Sequence, residues 1–392
     1  MTEYPAKRLR IVSIYSASHF IVDFACAFMM FRSISEAPGW YLCVLMYNFC
    51  AFAMQMPLGV IIDRLQRNAL AAVIGCALIA SAYGIVRFPI AAVVTAGIGN
   101  SLFHLGGGVD VMNISGERRG ALGVFVSPGA FGVWLGTMLG KGAGFPAMPL
   151  VLALLAAAAL IIVCCRTPKH GNHQSAHSSA RESSYASTNT GIHDRGIVSA
   201  NESTCESAHS ISHENARYEA SALQANSPIA SSRVITAVAL LFLVVCLRSF
   251  VGLAINFPWK SNLLYGIPLI CAVVFGKTAG GFLADRFGDS RIAVISLGIA
   301  SLLFFFPGIP AAGILSLLLF NMTMPITLWA VAQAVPDAKG FAFGLLTFGL
   351  FVGFLPVHLG ISVPDSALPV FPAFSALSLL LLAAGLRKLK QK

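Results

Sequence analysis

Apolar positions in this chain gather into long runs separated by short polar connections. Twelve runs occupy roughly residues 11–32, 39–62, 69–87, 89–112, 121–141, 146–165, 234–257, 264–283, 291–307, 310–334, 341–361 and 367–386. A helix of about 20 apolar residues spans the ~30 Å hydrocarbon layer of a bilayer. Lipid offers no partner to backbone N–H and C=O groups, so a crossing segment must pair them internally, as a helix does. The pattern predicts an all-α polytopic membrane protein with twelve transmembrane helices. Glycine and proline inside the runs fit, since membrane helices tolerate both.

Residues 166–233 break the pattern. Ser, His, Asn and Ala dominate there, and apolar periodicity is lost. Too little apolar surface exists to offset the entropy of ordering, which predicts a cytoplasmic, largely disordered linker. Its six histidines (His170, His173, His177, His193, His209, His213) are irregularly spaced, with no cysteine or carboxylate cluster beside them, so no metal is expected there. The chain thus divides into an N-terminal six-helix bundle over 1–165, the linker, and a C-terminal six-helix bundle over 234–392.

The bundles repeat each other. Gly59-x-x-x-Asp63-Arg64 recurs as Gly281-x-x-x-Asp285-Arg286, and Asn100, Gly123 and Gly132 recur as Asn321, Gly344 and Gly353, at offsets of 222 and 221 residues. Each pair falls in equivalent helices of the two bundles. A parallel repeat of six helices predicts two pseudo-symmetric halves related by an axis along the membrane normal.

Composition narrows the class. The chain is 57% hydrophobic and 11% charged, whereas soluble domains carry about a quarter charged residues, which excludes an ordinary soluble enzyme. The net charge of +10 reads as membrane topology rather than as a nucleic-acid surface. Lys7, Arg8 and Arg10, Arg64 and Arg67, Arg118 and Arg119, Arg286 and Arg291, Lys339, and the final Arg387, Lys388, Lys390 and Lys392 sit on alternate connections. The opposite connections hold Arg32, Arg87, Lys141 and Lys260. The bias predicts both termini in the cytoplasm. Six of the nine cysteines lie well inside apolar runs, where free Cys acts as a small hydrophobe, Cys164 and Cys165 sit at the end of one, and none has metal-ligand spacing. No Ser/His/Asp elbow or zinc-protease helix is present, so no enzyme, no cofactor and no nucleic-acid partner are expected.

Pro57-Leu58-Gly59-Val60-Ile61-Ile62-Asp63-Arg64-Leu65-Gln66-Arg67 resembles the loop 2–3 signature of the major facilitator superfamily. Gly280-Gly281-Phe282-Leu283-Ala284-Asp285-Arg286-Phe287-Gly288 resembles its copy in loop 8–9. The resemblance covers the chain outside the linker and implies a twelve-helix transporter whose central cavity opens alternately to either side. Ser18-His19-Phe20-Ile21-Val22-Asp23, Asn100-Ser101-Leu102-Phe103-His104 and Gly116-Glu117-Arg118-Arg119-Gly120 further resemble the fosmidomycin-resistance branch of drug exporters. That similarity is confined to the first half, and Leu105 stands where the branch tends to have proline.

The resemblance implies that the signature is a cytoplasmic gate: Gly59, Asp63, Arg64, Arg67, Gly281, Asp285 and Arg286. Asp110, about a turn from the same end of the fourth helix, is placed to pair with Arg64 or Arg67. Ionisable groups deeper in the membrane are costly, which makes them functional candidates. His19 and Asp23 share a helix face, four residues apart, and with His104 they reach the middle third of the bilayer. An imidazole beside a carboxylate is suited to proton coupling. Arg248, of similar depth in the seventh helix, needs an anionic partner: Asp23 or an anionic substrate. Asn100, Lys277, Asn321 and Trp329 are further cavity candidates, and His358 is expected at the outer interface. Together these features predict a secondary active exporter of small amphipathic or anionic compounds, driven by proton exchange as an antiporter. The alternative is an uptake symporter for a small organic anion, and a remote one is a non-transporting receptor or enzyme. The expected partners are a small-molecule substrate, protons and the lipid bilayer, for a monomer in a bacterial inner membrane.

Overall fold

The computed structural model describes residues 3–116, 118–142, 144–165, 228–260, 262–361, 363 and 369–390. The linker histidines and residues 166–227 of the expected linker lie outside them. Among the described residues every regular element is helical. We number the passes α1 (Ala6–Ile34), α2 (Trp40–Leu65), α3 (Asn68–Ile85), α4 (Pro89–Ser115) and α5 (Gly120–Lys141). The sixth, α6 (Met148–Cys164), is a shorter apolar helix. There follow α7 (Ser232–Ala254), α8 (Gly266–Phe287), the shorter α9 (Asp289–Leu303), α10 (Pro310–Ala334), α11 (Lys339–His358) and α12 (Val370–Lys390). Ten of these are long and apolar enough to cross a membrane, in keeping with the all-α polytopic expectation.

Several helices are broken where the sequence demands it. Pro128 has no N–H to give the preceding turn, and α5 is interrupted at Ser127 between Gly120–Val126 and Pro128–Lys141. A π-helical turn, Phe49–Ala53, interrupts α2. Its Cys50 and Ala51 carbonyls accept from Ser101 of α4, the latter at 3.2 Å, so the irregular backbone stays hydrogen-bonded inside the protein.

Residues 1–166 and 233–392 form one compact unit. Two seams join its sequence-related halves. Along the first, α2 lies on α11: a Cβ on Gly59 would collide with the Gly340 carbonyl, and one on Gly344 with the Gln55 carbonyl. Along the second, α5 lies on α8: a Cβ on Gly281 would stand 2.7 Å from the Arg119 carbonyl. Missing side chains let these backbones approach, as small residues do in membrane helix pairs generally. Both seams run from the end holding the Asp-Arg motifs, here the motif end, towards the opposite end.

Candidate functional site

Midway along the bundle, α1 and α4 share a buried polar cluster. His19 and Asp23 are one turn apart on α1, with Nε2 of His19 3.1 Å from Oδ2 of Asp23. His104 of α4 brings its Nε2 to 2.8 Å from His19 Nε2 and 3.7 Å from Asp23 Oδ1. Asn100, one turn before it, donates to Asp23 Oδ1 at 3.0 Å. The two histidines are 5% and 8% exposed.

Backbone carbonyls fix the tautomers. A carbonyl oxygen only accepts, so His19 Nδ1 donates to Phe125 at 2.7 Å and His104 Nδ1 donates to Asn100 at 2.9 Å. Two neutral rings would then aim Nε2 lone pairs at each other across 2.8 Å, beside a carboxylate that also only accepts. One proton between the nitrogens turns that repulsion into a hydrogen bond, and Asp23 balances its charge. The same three side chains, within 4.8 Å of one another, are also a donor set of metal type. Two imidazoles on one tetrahedral zinc stand roughly 3.3 Å apart at the usual ~2.05 Å bond length, wider than the 2.8 Å here. The contact fits a shared proton better.

The break in α5 forms the third wall. The Phe125 carbonyl holds His19, and the next carbonyl, Val126, accepts from Lys277 Nζ of α8 at 3.4 Å. Just beyond the break, a Cβ on Gly129 would collide with both His19 Nε2 and Asp23 Oδ2, so a bare backbone is needed there. Arg248 of α7 is 8% exposed. Among the described residues none pairs with it, and its Nη1 is enclosed without a hydrogen bond. Asp23, one of its two expected partners, is engaged by the histidines and Asn100 instead. Lys277 lies within electrostatic reach of Arg248 and of Asp23.

The signature residues gather at the motif end. Asp63 accepts from the backbone N–H of Gly340 at 2.7 Å and of Phe341 at 2.8 Å, capping the N-terminus of α11. Asp285 does the same for α5 through Arg119 at 2.7 Å and Gly120 at 2.9 Å. A carboxylate at a helix N-terminus meets both unpaired donors and the positive end of the dipole. Gly59 and Gly281 make room for these approaches, while Arg64, Arg67 and Arg286 are exposed.

Three expectations need correction. Asp110 does not pair with Arg64 or Arg67: it is 1% exposed and accepts from Tyr15 at 2.7 Å and Asn68 at 2.9 Å. It faces α1 and α3 across the helix packing. Trp329 lines the motif end instead of a central cavity, with Arg119 stacked 3.5 Å over its ring and its indole N–H 3.4 Å from the Gly116 carbonyl. Asn321 turns back to its own helix, donating to Leu317 at 2.8 Å, so it does not mirror Asn100.

Arg119 and Asp289 are motif-end residues that sequence reasoning missed. They form an ion pair at 2.8 Å, with Asp285 also 3.8 Å from the guanidinium. The available signal was Arg119 inside Gly116–Gly120, which read as a basic connection and as part of the exporter-like resemblance, with no partner assigned. At the opposite end Tyr41 stacks on His358 at 3.8 Å and donates to its carbonyl at 2.6 Å. His358 was expected at this end; its partner was not.

Comparison with known proteins agrees with this architecture. Residues 43–357 match the Major Facilitator Superfamily profile. No curated protein matches the chain in sequence. Among solved structures, the transporter FucP in its outward conformation is 13% identical, with a TM-score of 0.62 over 98% of this chain and 100% of that one. A second FucP structure, described as the E. coli fucose:proton symporter, gives 14% identity and a TM-score of 0.64 over 99% and 100%. The human organic anion transporter MFSD10 (TETRAN) gives 16% and 0.63 over 96% and 99%. Identities this low show the fold alone. With a profile match across most of its length, the chain belongs to the Major Facilitator Superfamily, a multi-pass membrane protein that acts as a secondary transporter and not as an enzyme.

Proposed function

We propose that this transporter couples movement of a small amphipathic or anionic compound to movement of a proton, which binds at His19, Asp23 and His104. The observation that carries the reading is the 2.8 Å contact between two imidazole nitrogens whose other nitrogens are committed to carbonyls. The charged and titratable groups facing the cluster are few. Cys26 of α1 lies 3.9 Å from Asn100, with Tyr47 of α2 beside it, and Lys277 of α8 lies within electrostatic reach of Asp23 and His104. Fold neighbours that include a fucose:proton symporter and an organic anion transporter are compatible with both parts of the reading.

In this reading the caps on α5 and α11 latch the motif end and the Tyr41–His358 contact holds the opposite end. Breaking one set opens the route on that side, and ligands bias that equilibrium through differential affinity. Cluster and latches are built within one chain, so a monomer suffices. The charge bias of the connections supports both termini in the cytoplasm, and this reading takes a bacterial inner membrane as the setting. Export by proton exchange is favoured by the exporter-like stretches Ser18–Asp23 and Asn100–His104. Uptake by symport is favoured by Arg248, a buried cation whose partner must come from elsewhere. The test uses inside-out vesicles carrying an imposed pH gradient. A mixed panel of organic anions and amphipathic drugs should collapse the gradient with the wild-type protein and leave it intact with Asp23→Asn. Equal collapse with both proteins would reject the cluster as the proton site.

A further inference from the structure

We infer that the substrate presents a compact oxyanion, a carboxylate or its like, to Arg248 and Lys277, and that this anion binds cooperatively with the proton of the histidine pair. The second half of this inference rests on the proton-coupled reading above; the first half does not.

The protein leaves Arg248 without a counter-ion. Among the described residues the carboxylates buried within the spans are already engaged: Asp23 by the histidines and Asn100, Asp110 by Tyr15 and Asn68. Asp63, Asp285 and Asp289 are held at the motif end. An arginine 8% exposed, with an enclosed and unbonded Nη1, is a costly arrangement unless something else completes it. Its planar fork matches the two oxygens of a carboxylate. Lys277 supplies a second cation. One long hydrogen bond to Val126, at 3.4 Å, leaves two of its three N–H donors uncommitted. Two like charges within electrostatic reach disfavour each other, and an anion seated on both relieves that repulsion.

The sign of coupling follows from the same charges. A proton on the histidine pair adds positive charge within reach of Lys277, which is itself within reach of Arg248, so it strengthens anion binding. By reciprocity the anion strengthens proton binding. Ligands that promote each other load and leave together, which is the linkage of symport. Exchange requires that each displace the other.

The purified full-length protein tests this with benzoate, succinate and sulfate as probes and benzamide as the neutral control. At least one anion should raise the melting temperature while benzamide leaves it unchanged. One proton should be taken up per anion bound in weakly buffered solution, and affinity should fall up to tenfold per pH unit as the cluster deprotonates. Arg248→Met should weaken anion binding at least a hundredfold yet raise the melting temperature of the ligand-free protein, because an unpaired buried charge is gone. Arg248→Lys should recover part of the affinity. Silence from all three anions, unchanged binding in Arg248→Met, or a lower melting temperature in that variant would overturn the clamp. Anion binding that depends on Arg248 but takes up no proton would overturn the cooperativity, and with it the proton reading, while the clamp stood. Asp23→Asn that keeps anion binding but loses its pH dependence would support both.

Discussion

At the motif end the two halves perform one operation twice. Asp63 caps α11 and Asp285 caps α5, each one turn after a glycine that lets the partner helix close in. In the middle of the membrane they do nothing in common. The first half holds two histidines and a carboxylate in mutual contact, while the second holds two cations, one unpartnered among the described residues. Asn100 serves the cluster, whereas its repeat Asn321 serves only its own helix. The difference separates two tasks. Each half must latch onto the other, so the latch is duplicated; a proton and an anion each need one site, so that chemistry has been free to diverge.

The comparison can be broken where it is sharpest. Gly129→Val would push a side chain into His19 and Asp23, and displacement on the ångström scale costs about a hundredfold in a positioned site. Proton-driven transport in proteoliposomes should fall by that order; near-normal coupling would mean the cluster's geometry carries no function. Asp63→Asn and Asp285→Asn should have smaller and equal effects. Each removes a charge from a helix N-terminus, about 1–2 kcal/mol, or roughly five- to thirtyfold towards the state open at the motif end. Spin labels at the exposed positions Arg64 and Arg286, each changed to cysteine, would report that shift as a longer-distance population. A tenfold disparity between the two variants would show that the repeated motifs are not equivalent latches. Tyr41→Phe should have the smallest effect, in the opposite sense. It keeps the stack on His358 but loses the hydroxyl bond, about 1 kcal/mol, so the same labels should move less than about tenfold, towards the motif-closed population.

The helices and the duplicated signature were legible because both are local: a run length and a spacing of four. The pairing of His19 with Asp23 was legible for the same reason. What each latch closes on was not, since Gly340 is 277 residues from Asp63 and only the packing of α2 on α11 brings them together. Depth along a helix located Asp110 correctly but could not say which way it faces, and it faces Tyr15 and Asn68. Arg119 looked like one more basic connection residue, because its worth lies in Asp289 and Trp329, both distant in sequence. Apolar runs do not reveal which neighbour a polar residue will meet.

The interruption of α5 at Ser127 has a mechanical consequence. The segment Gly120–Val126 is a short rod about 9 Å long. One tip is fastened to Asp285 through the N–H groups of Arg119 and Gly120, and the other ends in the carbonyls that hold His19 and Lys277. A rod pinned at one tip and jointed at the other turns sideways strain into rotation. Whatever unseats the histidine ring tugs on the latch, and whatever frees the latch loosens the ring.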